Sequence, residues 1–226
     1  MFVGHWAPAF LAAAAGPRTP RLGTCFVAAQ LVDWGFFGLA TIGVEKMRIE
    51  PGATAMNPLD LYYMPYTHSL LGSGVWALAF AAFVLAWRRD LLTASIAGLV
   101  VMSHWLLDWL VHRPDLTLAG SPPKYGLGLW NTPAVEIPLE LGLTVLAFWF
   151  YLHRTKGPVV PPLILLGVLL LFQAINWFGP EPEAAGPALY LTALFSFLVA
   201  TLLAAWTAST RWHKGEVGLA VATVHR

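Results

Sequence analysis

The feature that most constrains this chain is the recurrence of apolar runs long enough to cross a bilayer. They cover residues 24–44, 68–87, 91–112, 137–153, 159–178 and 187–207. A helix needs about 20 such residues to span roughly 30 Å of hydrocarbon. With 58% hydrophobic and only 11% charged residues among 226, the chain cannot be a soluble globule. The pattern predicts an all-α fold, a polytopic transmembrane helix bundle of about six spans forming one domain over 1–207. The mixed tail, 208–226, is expected to be cytoplasmic and partly disordered. Phe2 to Ala15 is apolar but short, which suits a tilted short span or a re-entrant helix. Arg18, the first basic residue, follows this stretch rather than preceding it, so it reads as retained and not as a signal peptide.

Other classes are excluded early. A net charge of +1, with no basic patch interleaved with aromatics, gives no case for nucleic acid. Cys25 is the sole cysteine and offers neither a disulfide nor a zinc ribbon. No internal repeat of the transporter kind is visible. The spans are joined by a polar loop, Glu45 to Tyr66, a tight Arg88-Arg89-Asp90 turn, and a Gly- and Pro-rich loop from Arg113 to Val135. Thr67 is placed to cap the second run, whose Gly72, Gly74, Ala77, Ala81 and Ala82 favour close helix packing. Alternating the loops puts Arg18, Arg21, Arg88, Arg89, Arg154, Lys156, Arg211, Lys214 and Arg226 on one side. Lys46, Arg48, Arg113 and Lys124 fall on the other. Nine against four predicts the first side as cytoplasmic, in a bacterial-type inner membrane, with the C-terminus inside and the long loops outside.

Against that apolar background the ionisable residues inside the runs carry the information, because such groups are costly in a bilayer and are generally functional. His104, Asp108 and His112 recur at i, i+4 and i+8 and share a helix face. His68 begins its helix on the outer side, Asp33 lies near mid-span, and His5 reaches the same level if the first segment enters the membrane. Imidazoles and carboxylates converging on one half of a bundle suit a divalent metal, zinc foremost and manganese next. The candidate ligands are His5, Asp33, His68, His104 and Asp108. Glu140 or His112 would handle protons. The plainer readings are interfacial placement for His5, a hydrogen-bonded bundle residue for Asp33, and a helix-start residue for His68. For Glu136 the plainer reading is a complement to the helix N-terminus. Glu45 and Asp115 are expected to be solvated. Trp105, Trp109 and Trp130 are expected to be packing or interface aromatics.

Gly4-His5, Asp33, Thr67-His68-Ser69-Leu70-Leu71 and Ser103-His104-x-x-x-Asp108 together resemble the motifs of the inner-membrane metal-dependent hydrolases related to the LexA-binding membrane protein. The resemblance covers roughly residues 1–115. Where that family carries a second aspartate beside Asp33, this chain reads Leu31-Val32. More distantly, the order His, Asp, His, His-x-x-x-Asp is similar to that of zinc-dependent phospholipase C and P1-type nucleases. The first resemblance implies a metal-dependent hydrolase and the second a phosphoester substrate.

The expected function is therefore a metal-dependent hydrolase whose site opens to the extracytoplasmic side and acts on a phosphoester or lipid-like substrate. Membrane lipids are the expected partners, and Lys124 in the Arg113 to Val135 loop is available to meet a phosphate. The alternative is a small transporter or permease using Asp33, His104 and Asp108 as a proton or metal-ion pathway. A haem or quinone protein ligated by His68 and His104, and a structural bundle held by polar bonds, are further rivals.

Overall fold

The structure, a computed structural model, describes residues 1–214. The chain is an all-α integral membrane protein with six helices long and apolar enough to cross a bilayer. A 3-10 turn, Val3–Trp6, leads into the short helix α1 (Ala7–Ala14). The six spans follow as α2 (Leu22–Thr41), α3 (Leu70–Arg88), α4 (Leu91–Val111), α5 (Pro133–Arg154), α6 (Val160–Phe178) and α7 (Pro187–Ser209). Their bounds follow local chemistry. Ser69 caps α3 by accepting from the Gly72 amide, and Asp90 caps α4 by accepting from Leu92. Prolines occupy the first turns of α5, α6 and α7, where a missing N–H costs nothing. Gly43, at φ +75°, ends α2 in a conformation that favours glycine.

The first segment is too short to span. Eight α-helical residues rise only about 12 Å at 1.5 Å each. It runs instead as a half-helix inside the bundle, packed on α5 and α2. Its aromatic side chains fill the centre. Phe10 meets Phe26 edge-on at 5.2 Å and Phe148 at 5.6 Å, while Trp6 stacks on Phe26 at 5.3 Å. Around it α2 packs on α7, α4 and α3, and α3 forms a tight hairpin with α4. The small residues seen in sequence explain that hairpin in part. A Cβ at Gly98 would stand 3.1 Å from the Ala81 methyl and 3.2 Å from the Ala77 carbonyl, so the two backbones meet there. Gly74 faces open space and plays no such part. Large apolar side chains such as Leu78 and Phe178, exposed by 73% and 79%, point outward as lipid-facing residues do.

The two ends of the bundle differ. At one, the helix turns are tied by basic side chains. Arg18 pairs with Asp90 at 3.4 Å and accepts the Thr93 hydroxyl on its carbonyl, while Arg211 donates to Thr155 and to the Gly157 and Pro158 carbonyls. At the other, the loops build two hairpins the sequence did not reveal, β1 (Lys46–Ile49) with β2 (Leu59–Tyr63) and β3 (Leu116–Thr117) with β4 (Lys124–Tyr125). Arg113 and Arg48 converge on the buried Asp60 and lock these loops together.

Several expectations are corrected. Ser69, not Thr67, caps α3, because Thr67 is committed to Glu45. α5 begins at Pro133, four residues before the predicted Ile137, since a first-turn proline is compatible with a helix start. In the tail, Ala208 and Ser209 belong to α7, and β6 (Trp212–His213) pairs with β5 (Thr155–Lys156). The expected disorder at 215–226 lies outside the described residues.

Candidate metal centre

Four elements bring the ionisable residues together. The N-terminal 3-10 turn delivers His5, the middle of α2 delivers Asp33, the residues before α3 deliver His68, and the last turns of α4 deliver His104, Asp108 and His112. The helical spacing read from sequence holds for the last three. Asp108 is the hub. Its Oδ1 lies 3.0 Å from His5 Nε2 and 3.3 Å from His112 Nε2, with the Met1 amine also at 3.3 Å. Its Oδ2 lies 3.1 Å from His104 Nε2 and 3.6 Å from His68 Nε2. Asp33 Oδ1 approaches the same two imidazoles, at 3.3 Å from His68 and 3.6 Å from His104. The His5 and His104 rings stack in parallel, 3.8 Å apart. In each of two overlapping groups, His5–His104–Asp108 and Asp33–His68–His104, the donor atoms lie within 4.8 Å of one another.

The outer partners of the imidazoles fix which nitrogen faces inward. His104 Nδ1 lies 2.8 Å from the Ala29 carbonyl, which can only accept, so Nδ1 carries the proton. His112 Nδ1 donates to Asp115 at 2.9 Å. The Thr67 hydroxyl gives its proton to Glu45 at 2.6 Å and therefore accepts from His68 Nδ1 at 2.8 Å. In neutral imidazoles these three contacts leave each Nε2 lone pair aimed at a carboxylate oxygen. Lone pair against lone pair at these distances repels unless a cation lies between them. Consistent with that, His104 Nε2 and Asp108 Oδ2 are buried without a hydrogen-bond partner. Such outward bonds to ligating histidines are what orients them on a metal.

Glu45 and Asp115, expected in solvent, are 1% and 6% exposed. Both sit in loops, where a polar residue looks solvated by default; Asp115 has a signal in its place three residues after His112, whereas Glu45, 22 residues before Thr67, has none. Glu45 also accepts from the Tyr66 and Thr67 amides, fixing the chain just before α3. Replacing Glu45 with glutamine is expected to weaken metal affinity by about 10–100-fold, read by competition with a chelator. Unchanged affinity would deny it that orienting role.

Glu140 does not face the cluster. Its Oε1 accepts from the Phe2 amide at 2.6 Å and the Gly4 amide at 2.9 Å, and its Oε2 accepts from Gln173 Nε2 at 3.0 Å. Gln173 Oε1 takes the Val3 amide at 3.2 Å. A helix beginning inside a membrane has orphan N–H groups that no water reaches. These two side chains satisfy them, and so hold His5 in place. Glu136, one turn earlier, is fully buried with neither carboxylate oxygen bonded.

His112 is at the roof, with Trp130 packed on its ring at 4.2 Å. The loop following α4 thus covers the cluster, while Lys124 is exposed on β4 and Arg113 is engaged by Asp60. Trp105 supports the site by donating to the His68 carbonyl at 3.1 Å. Among the six grouped side chains only Asp33 keeps appreciable accessible surface, 18%. It shares its helix face with Ala29 and Phe36, both fully or almost fully buried.

The fold and this geometry define an integral membrane protein with a buried histidine–aspartate cluster competent to hold a metal ion. No protein-family profile, characterised protein or solved structure matches the chain.

Proposed function

We infer that the protein is a metal-dependent hydrolase embedded in the membrane, with His5, Asp33, His68, His104, Asp108 and His112 around its metal. The observation that carries this reading is the set of inward-facing Nε2 lone pairs around the two oxygens of Asp108. A single charge-dense dication relieves that arrangement, whereas several imidazolium protons crowded together would repel. The donor set is all nitrogen and oxygen, which suits zinc and, less well, manganese. Asp108 presents one oxygen to His5 and His112 and the other to His68 and His104, so it would hold the metal from the centre of the set.

A metal held here would supply Lewis-acid polarisation and a nucleophilic water at neutral pH. The protein's own part is to orient the imidazoles through Ala29, Thr67–Glu45 and Asp115, and to keep bulk water out beneath Trp130. Asp33, the one partly accessible member of the cluster, is where a substrate oxygen would approach. A phosphoester or lipid-like substrate, an inner membrane and a site facing its outer side are the readings this favours. The positively charged turns at the opposite end support that orientation. The permease alternative needs a polar path across the bundle. Between the cluster and the basic end, however, stand Trp6, Phe10, Phe26, Phe148 and Leu165, all buried.

Elemental analysis of detergent-purified protein tests the proposal. One or two equivalents of zinc or manganese per chain are expected, and screening of phosphoester substrates follows. No metal after incubation with either ion would overturn it. Removing the metal with a chelator is expected to lower the melting temperature by several degrees. A ligand at a hundredfold excess over its Kd stabilises by about 2.7 kcal/mol, and chelation removes that term. An unchanged melting curve would count against metal binding.

A further inference from the structure

Far from the metal centre, at the basic end, α2, α3 and α7 enclose a groove of about 440 Å³. That volume lies within the ~300–1,000 Å³ usual for small-ligand sites. Gly23, Thr24 and Val27 of α2 form its floor, Phe80, Phe83 and Trp87 of α3 one wall, and Thr201, Ala205 and Ala208 of α7 the other. The floor is low at Gly23 for a physical reason. A Cβ there would stand 2.9 Å from the Ala205 backbone, so α2 and α7 meet directly. A smaller cavity continues toward the helix ends over Pro20, Arg88 and Thr93 and shares Arg21, Thr24 and Trp87 with the first.

The chemistry of the groove is graded along its length. Its deep part is apolar. Arg21 lines its rim, Arg88 lines the adjoining smaller cavity, and Trp87, 61% exposed, has the Arg88 guanidinium 5.6 Å from its ring centre. Nearby Arg18 is paired with Asp90, but among the described residues neither Arg21 nor Arg88 has a carboxylate within ion-pair distance. Two unneutralised cations beside an interfacial tryptophan, above an apolar slot, complement a phosphate joined to an acyl chain. Among the described residues, those that follow α7 do not fill the slot. Trp212 and His213 pair with Lys156 and Thr155, and His213 Nε2 meets the Ala13 carbonyl, both on another side of the bundle.

We propose that this groove is a binding site for one anionic phospholipid of the surrounding bilayer, its phosphate between Arg21 and Arg88 and one acyl chain between α3 and α7. The site is separate from the metal centre, which lies toward the opposite ends of these helices, and its lipid is a bound component rather than a substrate.

The test is native mass spectrometry of protein released from nanodiscs of equal phosphatidylglycerol and phosphatidylcholine. The wild type is expected to retain one phosphatidylglycerol in clear preference to phosphatidylcholine. The Arg21→Gln/Arg88→Gln double variant should lose that retention by about tenfold or more. Val27→Phe, which fills the floor without touching a charge, should lose it as well. Metal content measured on the same samples should be unchanged, which shows that each variant is folded. Equal retention of both lipids by the wild type, equal phosphatidylglycerol retention by the double variant, or a lipid-free dimer joined through this face would overturn the proposal.

Discussion

Replacing Asp108 with asparagine is expected to empty the metal centre while leaving the bundle folded. The amide matches the carboxylate in shape, yet it turns one of two acceptors into a donor and removes the charge. Whichever way it settles, its NH2 faces either the His5–His112 pair or the His104–His68 pair and donates to a bare Nε2. That bond relieves the lone-pair repulsion that otherwise calls for a cation, so the metal-free fold keeps its packing, at the cost of the ion pair with the buried Met1 amine. Metal affinity should fall by more than the roughly 10–100-fold typical of groups that only orient a ligand. Equilibrium dialysis with zinc, alongside a thermal melt, reads both quantities. Wild-type metal content in the asparagine variant would sink the assignment of Asp108 as hub.

Truncating Glu140 to alanine is expected to be the most damaging change outside the cluster. It leaves the Phe2 and Gly4 amides and the Gln173 side chain without an acceptor in a dry interior. At about 1–3 kcal/mol for each stranded donor, the loss is several kcal/mol, enough to undock the N-terminal turn. Hydrogen exchange over residues 1–15 should become fast, and metal should be lost along with His5. Glutamine should be milder, keeping one acceptor oxygen for the two backbone amides but setting its NH2 against that of Gln173. The glutamine variant also separates two roles for this residue. A proton-transfer group would lower turnover with metal content intact, whereas a clamp lowers metal content and stability together. The first pattern would refute the clamp.

The sequence discloses the fold and the centre to different depths. Hydropathy alone places the six spans, because lipid imposes one requirement on every turn of helix. His104 and Asp108 are legible from their spacing, and His5, Asp33 and His68 from the level at which each falls in the membrane. What spacing cannot disclose is the company each imidazole keeps. Glu45 and Asp115 look like ordinary loop acids until the chain folds back over them. Glu140 looks like a proton-transfer group because its true partners, the amides of an interrupted helix, have no signature in side chains. The short hairpins are equally silent, being four- and five-residue strands inside a loop whose prolines and glycines read as irregular.

The half-helix at the start of the chain also sets an order of assembly. Residues near the N-terminus leave the ribosome first. Yet the bonds that seat them join Gly4 to a residue 136 positions later and Val3 to one 170 positions later. His5 therefore waits through the insertion of four further spans before α5 offers Glu140, and of a fifth before α6 offers Gln173. The N-terminal turn and His5 can seat only after α5 and α6 have been made, whereas the Asp33–His68–His104 group is complete once α4 has been made.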